Sequence, residues 1–241
     1  MVLLFSPDMK ATYLFLLPAF ILLYSACNSS LHSAAQAYHS SYDDTSLMVQ
    51  AGPILLPYNR YIDPAGSIVR FGDPRLENHS LDCILLPDGK ILAVEDRYGV
   101  AFIDVQKQAM IFHYDYAAGK KKKRFMSTYS GIKAVKINNE VHVFWSASNT
   151  DDNASEVMDA VWDGNQATLF QSFELNAVAP APMALPNDIA VNIENGTTYL
   201  YIVLNGNNRL TKINWQSKQV VWTVPTGVAP FGMTLFNGKA W

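Results

Sequence analysis

Leu81-Asp-Cys-Ile-Leu-Leu-Pro-Asp-Gly-Lys-Ile-Leu-Ala-Val94 is an apolar run, an Asp-Gly pair and a second apolar run. The same unit returns as Asn187-Asp-Ile-Ala-Val-Asn-Ile-Glu-Asn-Gly-Thr-Thr-Tyr-Leu-Tyr-Ile-Val203, and it begins again in Phe231-Gly-Met-Thr-Leu-Phe-Asn-Gly-Lys-Ala-Trp241. Asn, Asp and Gly reach positive φ at little cost, so each unit reads as a hairpin closed by a two-residue turn. The last copy stops early in its second strand, which predicts a chain that continues beyond Trp241.

Around these hairpins, apolar runs rich in Val, Ile, Tyr, Phe and Trp alternate with turn residues, and no stretch keeps a helical period for more than two turns. The turns Asp88-Gly89, Asn138-Asn139, Asn195-Gly196 and Asn237-Gly238 fall 50, 57 and 42 residues apart. A period of about 40–50 residues with four strands per unit predicts an all-β fold, a β-propeller of antiparallel blades. The first blade is expected at Leu81–Leu86, Lys90–Glu95, Val100–Val105 and Ala109–Tyr114. The second is looser, at Ile132–Ile137, Val141–Ala147, Glu156–Trp162 and Ala167–Leu175, with an Asp-rich excursion over Asn149–Ser155. The third is expected at Asp188–Ile193, Thr198–Leu204, Arg209–Asn214 and Gln219–Val224. Gly66–Phe71 reads as an orphan outer strand that would complete the last blade. Three blades and part of a fourth make an incomplete ring, seven-bladed at full length. An open arc leaves strand edges and a blade face bare, so residues 27–241 alone are expected to be poorly soluble.

The N-terminus reads as an export signal. Met9-Lys10 precedes an apolar run from Ala11 to Ala26, shorter than the roughly 20 residues that span a bilayer. Tyr24-Ser-Ala-Cys27 resembles a bacterial lipobox, with Tyr24 where an aliphatic residue is usual; the alternative is an ordinary signal peptide with an incidental cysteine. The expected organisation is a signal peptide over 1–26, a tether over 27–51 behind a lipidated Cys27, and a partial propeller over 52–241. Asn28 after that cysteine leans towards the outer membrane, so the expected place is the bacterial cell envelope, facing periplasm or surface. With Cys27 acylated, Cys83 has no thiol to pair with, and the fold must be held by its core. The formal net charge of −3 and a single short basic run argue against a nucleic-acid partner.

In the third unit, Leu200-Tyr-Ile-Val-Leu-Asn-Gly-Asn-Asn-Arg-Leu-Thr-Lys-Ile-Asn214 followed by Val220-Val-Trp-Thr-Val-Pro-Thr-Gly-Val-Ala-Pro-Phe-Gly-Met233 resembles the YVTN (YncE-like) β-propeller repeat. Asn205 at a strand end and the Gly227–Gly232 link match that pattern, whereas the first unit has Glu95-Asp96 where Thr-Asn is usual. The span from about Ile54, with Leu55-Leu-Pro57 and Pro64-Ala-Gly66, is also similar to the N-terminal half of exported bacterial proteins that join a propeller to an alkaline-phosphatase-like domain. That resemblance implies a binding or scaffolding module, and any phosphoesterase chemistry would lie outside this segment.

No catalytic, cofactor or metal constellation is legible. His32, His39, His79, His113 and His142 lack ligand spacing, and neither a nucleophile elbow nor a phosphate loop is present. Asp151-Asp152-Asn153 lacks the spacing of a calcium loop. Gly119-Lys-Lys-Lys-Lys-Arg124 reads as a solvated loop, or alternatively as a contact for an anionic glycan, phosphorylated substrate or lipid headgroup. Pro186-Asn187-Asp188 resembles the strand opening of gluconolactonase-like propellers, in which the Asn faces a divalent metal. Asn78-His-Ser-Leu81 lacks the Glu those enzymes use, so the two residues read equally as turn caps. Propellers bind on the face built by second-to-third-strand loops and blade-to-blade links. This places His79, Arg97, Tyr98, Asn187, Asp188, Asn205, Asn207 and Phe231 around one funnel, as candidates for an unknown small-molecule, glycan or protein ligand. The expected reading is a lipid-anchored propeller module; the alternatives are a metal-dependent hydrolase of the lactonase type and a structural surface protein.

Overall fold

A computed structural model describes residues 54–63, 66–69, 71, 79–116 and 125–241. The signal segment, Cys27, the tether and the Gly119–Arg124 run lie outside them. The chain divides into two units, Met1–Ala65 and Gly66–Trp241. In the first, β1 (Ile54–Leu56) pairs antiparallel with β2 (Arg60–Ile62). Tyr58 and Asn59 turn that hairpin at φ 65° and 55°.

The second unit is a succession of four-stranded antiparallel blades. β3 (Ser80–Leu85), β4 (Ile91–Asp96), β5 (Gly99–Asp104) and β6 (Ala109–Asp115) form the first in sequence order. The second has β9 (Glu140–Asn149), β10 (Ala154–Trp162) and β11 (Ala167–Glu174), and its innermost position is shared by β7 (Met126–Ser127) and β8 (Lys133–Ile137), both paired with β9. β12 (Pro186–Glu194), β13 (Thr197–Leu204), β14 (Arg209–Asn214) and β15 (Val220–Pro225) form the third. β16 (Leu235–Phe236) and β17 (Lys239–Ala240) make one further hairpin. The architecture is that of β-propeller blades, as the repeat predicts.

Three of the turns are two-residue hairpins with both central residues at positive φ: Asn138 and Asn139 (48°, 74°), Asn195 and Gly196 (50°, 82°), Asn237 and Gly238 (49°, 70°). The Asp88-Gly89 turn differs. Leu86 pairs with Ile91, Gly89 N–H donates to Leu86 O at 2.9 Å, and of Asp88 and Gly89 only the glycine has positive φ. Pro87 explains it, because its fixed φ suits the second position of a type I turn.

Two further expectations change. The Asn149–Ser155 excursion is a prolongation of β9 and β10, with Asn149 opposite Ala154 and the turn held by Asp151 N–H on Asn149 Oδ1 (3.0 Å). Small polar side chains, among them Ser148 and Ser155 at 3.3 Å, let that hairpin stay buried. The described part of Gly66–Phe71 forms no strand. Val69 and Phe71 instead lie against Val94, Ala101 and Ile103, on the face of the first blade turned away from the second.

Alternation within each strand sends apolar residues to both faces, which therefore stack blade on blade. Phe102, Trp145, Met158 and Trp162 fill the seam between the first two blades, with the Phe102 and Trp162 rings stacked at 4.4 Å. Phe144, Ile189, Leu200, Ile202 and Ile213 fill the next. Tyr201, Val203 and Leu210 carry the outer face of the third blade and take Met233, Leu235 and Ala240 of the last hairpin. Each such side chain contributes about 1.5–3 kcal/mol by leaving water.

Candidate functional site

Inner-strand starts, second-to-third-strand turns and blade-to-blade links meet at one end of the blades. The inner strands of the first and third blades carry a register irregularity there: Ser80 and Asp82 face Asp96 and Glu95, while Pro186 and Ile189 face Leu204 and Ile202. An aspartate stands at the irregularity in both, and the two do the same thing. Asp82 Oδ1 accepts Cys83 N–H (2.8 Å) and Oδ2 accepts Gly131 N–H (3.0 Å) from the next link. Asp188 Oδ1 accepts Ile189 N–H (2.8 Å) and Oδ2 accepts Met233 N–H (2.8 Å). In the second blade the corresponding stretch holds Gly131, whose backbone runs against Asn187 O of the third.

The funnel candidates take different places. His79 is exposed ahead of β3. Arg97 and Tyr98 form the β4–β5 turn, where Arg97 Nε donates to Met126 Sδ (3.4 Å), Arg97 O accepts Ser127 N–H, and Tyr98 N–H donates to Asp96 Oδ1 (2.8 Å). Asn205 Nδ2 donates to Pro230 O (3.0 Å), tying the β13–β14 turn to the link after the third blade. Asn207 accepts Val178 N–H (2.9 Å) and donates to Asn176 O (2.9 Å), fastening the link before it. Asp188 adds Lys133 Nζ at 3.7 Å to its amides. Phe231 is exposed, and so are Tyr129, Val178 and Val228 on the neighbouring links. The turns and links are therefore held to one another by Asn and Asp side chains, with aromatic and aliphatic tips projecting from the links.

Beneath them lies a polar node that gathers Glu95, Ser146 and Asn187 with Thr128, Ser130 and Tyr116. Glu95, fully buried at 0% exposure, has Oε1 3.4 Å from Ser146 Oγ, and among the described residues its Oε2 has no partner. Burial, and then the nearby Asp82 carboxylate, push the Glu95 carboxyl well above the ordinary glutamate range. Ser146 also donates to Ser130 O (2.6 Å), and Thr128 Oγ1 meets both Ser146 Oγ and Pro186 O. Ser130 Oγ donates to Asn187 O at 3.1 Å. The Asn187 carboxamide, 1% exposed, has neither its oxygen nor its nitrogen paired among the described residues. Tyr116 OH links Ser127 Oγ (2.8 Å) to the Trp145 indole N–H (2.7 Å), and burial followed by Glu95 holds its phenol well above the usual tyrosine range. The Asp82/Asp188 correspondence was visible as Asp-Cys-Ile against Asp-Ile-Ala; the hydroxyls of Thr128 and Ser146 carry no comparable signal. Among the described residues no group of three or more His, Cys, Asp or Glu is arranged to hold a metal ion.

No protein-family model and no curated protein matches this chain. Among solved structures, a protein of unknown function from Bacteroides caccae is similar over 68% of this chain and 52% of its own, at 12% identity and a TM-score of 0.46. The Myceliophteria thermophila Cps50 (Swd1) β-propeller domain follows at 65% and 46% coverage, 11% identity and 0.43. Kuenenia stuttgartiensis hydrazine synthase is similar over 62% and 50%, at 13% identity and 0.42. The chain spans about half the length of these structures. The class rests on the blades themselves: an all-β protein built of successive four-stranded propeller blades.

Proposed function

We propose that this chain is an exported β-propeller module of the YVTN (YncE-like) type, anchored to the bacterial envelope through a lipidated Cys27. It binds a partner at the end where turns and links meet, and it scaffolds a phosphoesterase domain. The observation that carries the reading is the Asn205–Pro230 hydrogen bond. It joins the two parts of the third unit that resemble the repeat, the strand-ending Asn and the Gly227–Gly232 link, into one fixed edge of that end. Rigid turns with projecting Tyr129 and Phe231 suit recognition, since the polar groups around them are already engaged within the fold.

The test follows amide chemical shifts while the lipidated chain is titrated with soluble glycans, peptides and phosphoesters. Shifts confined to Tyr129, Phe231 and their neighbours are expected; shifts centred on Ile193, at the opposite end of the third blade, would refute the assignment. Palmitate labelling lost in Cys27→Ser checks the anchor.

One observation favours a second reading, the metal-dependent lactonase type: the buried, unpaired Asn187 carboxamide. The donors beside it fit poorly, because both Asp188 oxygens are already taken by the Ile189 and Met233 amides.

A further inference from the structure

The Glu95 carboxyl sits in the seam between the first two blades, faced by groups from three elements and the link between them. Asp82 lies opposite it on β3, and Asp96, with His113 Nε2 at 2.7 Å, follows it on β4. Ser127 and Tyr116 approach from the link, Ser146 from β9, and the Arg97 side chain of the adjoining turn is engaged with Met126. Among the described residues, the groups that act most on its charge are two carboxyls and two hydroxyls, none of them a cation. Asp82 is committed to the second blade, its Oδ2 receiving Gly131 N–H at 3.0 Å and Ile132 N–H at 3.4 Å. A second negative charge on Glu95 would stand beside that carboxylate in a buried seam. With its Oε2 unpartnered, it would gain no hydrogen bond in return.

We propose that Glu95 is a proton-operated latch: protonated, it lets the first blade close on the second through Ser146 and Asp82, and ionised, it releases the link that carries Tyr129 and Ser130. The raised carboxyl sets the sign. A carboxyl that holds its proton more tightly when the seam is closed favours closure below the ordinary carboxyl value, and this preference is lost as pH rises through the closed-state value. Because one proton leaves on opening, the open population grows about tenfold per pH unit across that window. The consequence reaches the proposed binding end, where Tyr129 would be presented differently in acidic and alkaline surroundings.

Hydrogen exchange at the Gly131 and Ile132 amides, the two that donate to Asp82, measures the latch directly. From the ordinary carboxyl range upward, until pH passes the closed-state value, their exchange should rise about tenfold per unit beyond the intrinsic base-catalysed increase, while Ile202, in the third blade, shows no excess. Glu95→Gln cannot ionise and should abolish the excess; an unchanged excess in that variant overturns the proposal. Ser146→Ala gives an independent check. The Ser146 hydroxyl favours the ionised form in the closed seam, so its loss should leave the onset in place and move the pH at which the excess levels off higher; a levelling point that stays put or moves lower also overturns it.

Discussion

The indole N–H of Trp215, one residue past β14 in the third blade, donates to Asp159 Oδ2 on β10 of the second at 2.8 Å. Asp159 Oδ1 lies 2.7 Å from His142 Nδ1, and Gln171 Nε2 reaches Oδ2 at 3.2 Å. The register slips between Asp159 and Ala160, which leaves Phe170 to stack on Trp215 at 5.8 Å. Asp159 is fully buried, so Asp159→Ala strands several donors at once and should cost about 3 kcal/mol in chemical denaturation. Trp215→Phe keeps the ring and should cost about 1–2 kcal/mol. A double-mutant cycle should return a coupling of about 1 kcal/mol; strict additivity would mean the bond does not hold the blades together.

Gly131 separates two kinds of backbone demand. Its φ is +109°, and a Cβ there would lie 2.0 Å from Asn187 O, a backbone atom of the next blade that cannot step aside. Gly164 has nearly the same φ, +104°, with nothing within 4 Å. Gly164→Ala should therefore report conformational strain alone, about 1 kcal/mol. Gly131→Ala should lose about 3 kcal/mol or more and loosen the seam between the second and third blades, read by thermal unfolding. Equal losses at both sites would show that the close approach contributes nothing.

The blades were legible because their signals are local. Arg209–Asn214 was placed to the residue, since alternating apolar and polar side chains between turn residues define a strand without reference to anything distant. Pro87 could have corrected the first turn, and Ser148 and Ser155, as small polar neighbours, could have announced the longer β9–β10 hairpin. The segment around Val69 was misread as a strand because its apolar residues serve packing, on Val94 and Ile103, without a ladder. The site was less legible. Asn205 and Asn207 stood out as exposed-type residues, yet their side chains are consumed in fastening links. Glu95 and Ser146 meet only because separate blades bring them together, which no spacing within one blade encodes.

Asp188 should act on a distant part of the chain through a single bond. Asp188→Ala removes the acceptor for Met233 N–H, leaving the end of the link before β16 without that bond to the third blade while the Asn205–Pro230 bond stays. Global stability should fall by about 1–2 kcal/mol, and Met233 and Leu235 amides should exchange faster than those of β14. Asp188→Asn keeps an acceptor oxygen and should restore most of the protection. Unchanged exchange at Met233 in the alanine variant would show the link to be held by its apolar contacts with Tyr201 and Leu210 instead.

Lys212 and Glu194 set an acid limb of the opposite sign to that of Glu95. Lys212 Nζ lies 2.8 Å and 3.0 Å from the two Glu194 oxygens and 4.0 Å over the Tyr199 ring, while Tyr201 O–H donates to Glu194 Oε1 at 2.6 Å. The hydrogen bonds from Lys212, then from Tyr201, hold the Glu194 carboxyl below its ordinary range. A carboxyl depressed in the folded state contributes stability above its unfolded value and loses it as pH falls through the folded one. The melting temperature of the chain should therefore drop between about pH 5 and about pH 3, and Lys212→Met should flatten that limb. Glu194 is about a third exposed, at 35%, so solvent screens the pair and the change should be modest. Added salt should shrink the wild-type limb and leave that of Lys212→Met nearly unchanged, because only the former contains the ion pair. A wild-type limb that survives Lys212→Met intact would assign it to other carboxyls, such as Asp104 and Asp163, whose turn hydrogen bonds hold them low as well.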